Sequence, residues 1–316
     1  MIWRIILDDA CQFSVDSMSE AWFLYSLASA FFFGFTTIVD KLMLEKRLSS
    51  FSYFVSFAPP ALVFSICVLL FFPTNVFSVP YGIAFVAGLL SAGGYFLYVL
   101  SIRKEEASRI AALTSLAPAF VAVLAVFIVN EIFSANSYMG IILMILGSIL
   151  ISYKNNHVKK IIPLSLILIL IATNFSYGLD QTISKISLGQ ISFWSFLMIF
   201  MLGRFVVAFP GISIPSVRRK FTSEVRELGR NFALALASGS ILWSLGIIFF
   251  FYAASLGPIT LVSTIGLISP LFTLFFAILI TKYLPKVLKE EIDRRTVALK
   301  LIAIVLIIFG TYLVIE

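Results

Sequence analysis

The sequence predicts an all-α, polytopic membrane protein of about ten transmembrane helices, arranged as two inverted five-helix repeats. Three observations carry that expectation. First, 60% of the 316 residues are hydrophobic and only 12% are charged, with mean hydropathy +1.06. A soluble domain carries about 45–50% apolar and about 25% charged residues, so lipid is the solvent that tolerates this composition. Second, the apolar residues fall into runs near the length of about 20 residues that a bilayer crossing needs. Third, basic residues are confined almost entirely to alternate connections between those runs.

The expected spans cover residues 21–44, 51–72, 81–102, 107–129 and 138–153, then 161–186, 191–210, 231–256, 259–282 and 296–315. Residues 1–20 read as an N-terminal leader, 21–156 as the first repeat and 157–316 as the second. The apolar piece 2–7 is short and lacks a small-residue cleavage site, so it does not read as a signal peptide. Met18 stands three residues ahead of the first span and is an alternative start. The connections after odd-numbered spans hold 20 of the 23 Lys and Arg residues, Arg4 and Lys185 lie on the opposite side, and Arg204 lies within a span. The positive-inside rule then puts those connections in the cytoplasm and both termini outside. The net charge of +7 reflects these short basic connections rather than a basic patch, and no nucleic-acid partner is expected.

Span 1 contains Gly34 followed seven residues later by Lys41, and span 6 contains Gly178 and Lys185 at the same spacing. Span 4 carries Ser115-Leu-Ala-Pro118 and span 9 carries Leu267-Ile-Ser-Pro270. An odd number of crossings per unit forces the second copy into the inverted orientation. The basic residues agree, following the first and third spans of the first unit but the second and fourth of the second. Inverted repeats are a recurring architecture of secondary transporters, with the substrate site where the halves meet.

These features resemble the ten-span, EamA-like branch of the drug/metabolite transporter superfamily. The resemblance rests on the Gly…Lys ends of spans 1 and 6 and on the Gly-rich run Gly88-Leu-Leu-Ser-Ala-Gly-Gly-Tyr95 leading to Ala107-Ser108. It continues through Leu116-Ala-Pro118, Asn130-Glu131, Gly140, Gly147, Gly239, Gly257-Pro258, Ser269-Pro270 and Gly310. The sequence departs from the family at Thr281-Lys-Tyr-Leu-Pro285, where the acidic counterpart of Glu131 is missing, and in the following insertion to Arg295. That insertion mixes apolar and charged residues and reads as a short interfacial helix. The family keeps both termini in the cytoplasm, the reverse of what the charges here say. The resemblance implies a cavity lined by spans 1, 3, 4, 6, 8 and 9, and hence Tyr95, Tyr98, Tyr177 and Trp243 as aromatic substrate contacts.

Ionisable side chains at membrane depth cost several kcal/mol, roughly 2.5–3.5 on insertion scales, and face a bundle interior or water. Asp180 in span 6 is the leading candidate, beside Gln181 and after Asn174 and Tyr177, with positions 174, 177, 178 and 181 on one helical face. A residue near the interface that simply meets water is the plainer reading of Asp180. Arg204 reads either as a snorkelling or structurally paired residue or as an anion-binding one. Asp40 and Lys41 read as end-of-span charges, and Glu131 as an interfacial structural residue. Pro118 and Pro270 are expected to kink their spans. Cys11 and Cys67 form no CxxC pattern, and His157, the single histidine, lies in a polar loop, so neither a metal nor a cofactor is expected.

The chain is therefore expected to act as a secondary transporter, an exporter of small organic metabolites working by alternating access in the cell membrane as a monomer or homodimer. No GxxxxGK[ST] loop is present, so hydrolysis of nucleotides is not its energy source. The alternatives are an integral-membrane enzyme acting on lipid, which would need a His/Asp/Glu cluster, and a non-transporting scaffold.

Overall fold

A computed structural model describes residues 2–46, 48–71, 78–102, 114, 116–151, 163–227, 229–283 and 294–315. Among these residues all regular structure is helical: α1 (Ile2–Lys46), α2 (Ser50–Val55), α3 (Ala58–Phe71), α4 (Val79–Ile102), α5 (Ala117–Ile128), α6 (Ala135–Ile151), α7 (Leu164–Leu188), α8 (Phe193–Ser213), α9 (Pro215–Glu227), α10 (Gly229–Leu256), α11 (Ile259–Ile265), α12 (Ser269–Tyr283) and α13 (Arg294–Ile315). The helix ends follow local chemistry. Ser49 and Ser192 cap α2 and α8, each accepting from a backbone amide three residues on. Pro163 and Pro258 immediately precede α7 and α11, and Gly189 follows α7.

Seven described segments are long and apolar enough to cross a bilayer: Ala21–Leu44, Ser50–Phe71, Val79–Ser101, Leu164–Leu188, Phe193–Gly211, Phe232–Leu256 and Ile259–Ile280. Three further apolar helices, Ala117–Ile128, Ala135–Leu150 and Leu301–Val314, are shorter. At about 1.5 Å per residue the first of these covers ~18 Å, short of the ~30 Å hydrocarbon core.

Several expectations shift. Residue 21 is no helix boundary, because α1 runs back to Ile2. Both prolines expected to kink the middle of a span instead stand in the first turn of a helix: Pro118 is the second residue of α5 and Pro270 the second of α12, just after the 3₁₀ turn Gly266–Ile268. The first turn has no intrahelical use for the proline's missing N–H, so proline is tolerated there. The basic stretch after span 7 forms its own amphipathic helix, α9, which the apolar-run reading passes over. The expected interfacial helix at 285–295 and His157 lie almost wholly or wholly outside the described residues.

The main packing partners are α1 with α10, α4 with α7 and α8, α3 with α8, α6 with α13, α5 with α7, and α1 with α12. Glycine permits the closest crossings. A Cβ at Gly88 would stand 2.1 Å from the Phe200 carbonyl oxygen, and one at Gly203 would stand 2.4 Å from that of Phe85. The α6–α13 crossing is similar, with Gly140 and Gly310 each facing the other's carbonyl oxygen at 2.7 Å from a would-be Cβ. Small residues at such crossings let lipid-embedded helices approach closely.

Candidate functional site

The polar interior collects between α1, α2, α4, α7, α8 and α10. Arg204 lies near the centre of α8 and is only 6% exposed. Its guanidinium stacks over the Trp243 ring of α10 at 4.2 Å and lies 5.8 Å from the Tyr95 ring of α4. It also donates through Nη1 to the hydroxyl of buried Ser91. Asp180, 3% exposed on α7, faces both Ser91 and Arg204. A buried acid and a buried base thus compensate each other through a serine, and the guanidinium gains a π face as well.

The aromatic side chains continue this network toward the end of α1. Tyr95 and Tyr98 stack with ring centroids 6.0 Å apart. Phe57 bridges Tyr95 at 5.2 Å and Trp243 at 5.8 Å. Tyr177 of α7 lies within electrostatic reach of Arg204, Asp180 and Asp40. Asp40 of α1, 6% exposed, accepts a hydrogen bond from the Tyr53 hydroxyl. Gly94 lets α4 close on α7, with a would-be Cβ 3.2 Å from the Tyr177 ring, which brings Tyr95 and Tyr177 to the same side.

Tyr95, Tyr98, Tyr177, Asp180 and Trp243 therefore lie together. Asn174 is also buried, but its side-chain nitrogen donates to the Leu170 carbonyl of its own helix at 2.7 Å. The Gln181 side-chain oxygen is buried with no hydrogen-bond partner. Sequence reasoning did not place Asp40, Tyr53, Phe57 or Ser91 here. Asp40 was within reach, since the cost of an acid inside a span applies to it as to Asp180; its nearness to Lys41 made it look like an end-of-span charge. Arg204 does not snorkel; it is held in the interior.

A second polar cluster closes the opposite end of the bundle. Asn130, in the left-handed region at φ 56°, ends α5, a conformation Asn tolerates better than most residues. Glu131 then caps α11, accepting from the amides of Ile259 at 2.8 Å and Thr260 at 3.0 Å. Lys185 donates to the carbonyls of Ala254 at 2.6 Å and Gly257 at 2.7 Å, at the end of α10. An acid at a helix start and a base at a helix end each oppose the local helix dipole. The pocket lined by Ala119, Val123, Phe127, Tyr138 and Ile142 is an apolar groove between α5 and α6, apart from both clusters.

This arrangement, apolar helices around a buried ionic and aromatic interior, is that of a multi-span membrane protein. Residues 20–153 match the EamA-like transporter family. The first part of the chain is therefore similar to that family's domain. Among solved structures, a crystal structure of a protein is similar with TM-score 0.68 at 12% identity, over 93% of this chain and 95% of the other. At that identity the likeness is one of fold. No curated protein matches the chain.

Proposed function

We propose that this protein is a secondary transporter, an exporter of small organic metabolites, that works by alternating access between two inverted five-helix repeats, 21–156 and 157–316. One observation carries the reading: a buried acid–serine–base network walled by aromatic rings, near the middle of helices drawn from both repeats. Burying such a network costs several kcal/mol per charge, and polar groups at membrane depth mark solute and ion pathways.

The packing supports the repeat. Counting ten spans, exchange of the repeats turns the α1–α10 contact into the α7–α4 contact, and the α5–α7 contact into the α12–α1 contact; all four are made. The α3–α8, α5–α11 and α6–α13 contacts each map onto themselves. The departure is informative. The tight α4–α8 contact has no comparably tight counterpart between α10 and α3, and a difference of this kind between equivalent contacts is what separates one access state from the other. Tyr95, Tyr98, Asn174, Tyr177, Asp180, Gln181 and Trp243 are the proposed substrate contacts, with Arg204 and Ser91 added.

The test is efflux from proteoliposomes loaded with an isotope-labelled metabolite mixture, read by mass spectrometry against protein-free vesicles. Solute-specific efflux is expected, reduced at least tenfold by Trp243→Ala. Efflux no faster than from empty vesicles for every solute overturns the reading.

A further inference from the structure

The face of α9 that turns away from the bundle is strongly basic. Residues 215–230, which cover α9 and the turn into α10, hold five basic residues, Arg218, Arg219, Lys220, Arg226 and Arg230, against two acidic ones, Glu224 and Glu227. All five bases are exposed. Lys220 stands 3.9 Å from Glu224, and among the described residues the four arginines make no ion pair. Helical spacing separates two faces. Val217, Phe221 and Val225 recur every four residues, and Phe221 and Val225 pack on the cluster that includes Met43, Leu44 and Tyr53. At about 100° per residue, Arg219 and Arg226 project from the opposite side, with Arg218 beside them. Glu224 turns to the start of α2, where it accepts from the Ser49 amide and hydroxyl, both at 3.0 Å. One of the two acids is thus withdrawn, and the outer face presents positive charge.

Depth decides what that face meets. Exposed apolar side chains stand on both flanks of α9: Phe209 and Ile214, each 48% exposed, before it, and Leu234, 59% exposed, after it. Ile214 directly precedes Pro215, and Leu234 follows Arg230 by four residues, about 6 Å along a helix. Gly229, at φ 72°, carries the chain from α9 straight into α10. Helix α9 therefore lies beside the edge of the lipid-facing surface, at the level of headgroups, as an amphipathic basic helix at an interface does. Arginine makes paired hydrogen bonds to phosphate, and its apolar stem can lie along lipid while the charge stays in the polar layer. A cluster of about four to eight Lys and Arg on such a helix suits anionic lipid. A nucleic acid or an acidic protein would match the charge but not the depth.

We propose that the outer face of α9, formed by Arg218, Arg219 and Arg226 together with Arg230, is a docking surface for the phosphate groups of anionic membrane lipids. The same helix holds α2 on its other side through Glu224, Phe221 and Val225, so bound headgroups fasten this end of the bundle. The inference needs a chain embedded in lipid and is independent of what the protein transports.

The test uses the full chain in nanodiscs of phosphatidylcholine containing a trace of a photoactivatable lipid with a diazirine near its headgroup. The probe is either a phosphatidylglycerol or a phosphatidylcholine analogue, and adducts are mapped by peptide mass spectrometry. Adducts within residues 214–230 are expected to be at least fivefold more abundant with the phosphatidylglycerol probe, and the excess to fall in high salt. The double variant Arg219→Gln, Arg226→Gln is expected to bring the excess down to the phosphatidylcholine level, while Arg219→Lys, Arg226→Lys keeps most of it. Equal labelling by the two probes overturns the proposal, as does an excess that the double Gln variant leaves unchanged. An excess that millimolar inorganic phosphate or polyglutamate removes would show a soluble anion as the occupant and overturn the assignment to lipid. Should the double Gln variant fail to fold, the comparison of the two probes on the wild-type chain decides alone.

Discussion

Arg204 is fixed from three directions, by Ser91, by the Trp243 face and by the charge of Asp180. Removing one member of a buried pair strands the other, at a typical cost of about 3–5 kcal/mol. Arg204→Met is therefore expected to lower the detergent melting temperature sharply, and the added change Asp180→Asn to recover part of the loss in a double-mutant cycle. Additive losses would mean that the two residues do not interact. Arg204→Lys is expected to fall short of wild type as well, since a lysine lacks the planar group that stacks on Trp243. At this scale the sequence was partly legible. The price of an ionisable group in a span singled out Asp180 and Arg204, but pairing depends on which helices meet, and spacing along a chain does not tell that. Asn174 illustrates the limit: it shares the expected helical face, yet its amide nitrogen turns to its own backbone.

Helix α9 lies across the end of the bundle near Asp40, where Phe221 and Val225 pack on the interior cluster that includes Met43, Leu44 and Tyr53. Glu224 clamps the start of α2, accepting from the amide and hydroxyl of Ser49, both at 3.0 Å. Partial burial alone would raise the Glu224 carboxyl, but hydrogen bonds from Ser52 and Ser49 and the nearby Lys220 outweigh it and hold the group below the ordinary carboxylate range. A depressed folded value means that the clamp contributes stability at neutral pH and loses it as pH falls through that value. The hydrogen-exchange protection factors of residues 48–52, corrected for the intrinsic pH dependence of exchange, are expected to fall on acidification in wild type and to be already low, and less pH-sensitive, in Glu224→Gln. At the other end, Glu131→Gln keeps one oxygen for two amides at the start of α11, and a loss of about 0.5–2 kcal/mol is expected by thermal unfolding. Helix α9 was readable in principle: Val217, Phe221 and Val225 recur every four residues among basic neighbours. A search tuned to long apolar runs passes over it. Glu131 was placed correctly at the end of its span, but its partners lie 128 and 129 residues away.

Over the whole molecule the close α4–α8 crossing and the charge of the connections make separate predictions. The basic helix α9, with Arg218, Arg219, Lys220 and Arg226, is expected in the cytoplasm by the positive-inside rule. In a chain with both cysteines replaced, Ser223→Cys should react with an impermeant maleimide from the cytoplasmic side; labelling from outside would reverse the orientation. The Gly88–Gly203 crossing joins α4 to α8 with no room for a side chain on either. Gly203→Val is expected to separate them, costing about 1–3 kcal/mol in stability. What the sequence determined by itself was the solvent and the helical class, because hydropathy and charge act on each segment against lipid and water independently of its neighbours. Tertiary structure alone decided which acid received a base, where Pro118 and Pro270 fall within their helices, and which rings stand near Asp40. Those outcomes depend on contacts between helices distant in sequence, and in a bilayer such contacts follow from shape and small residues rather than from hydrophobicity, which every helix there shares.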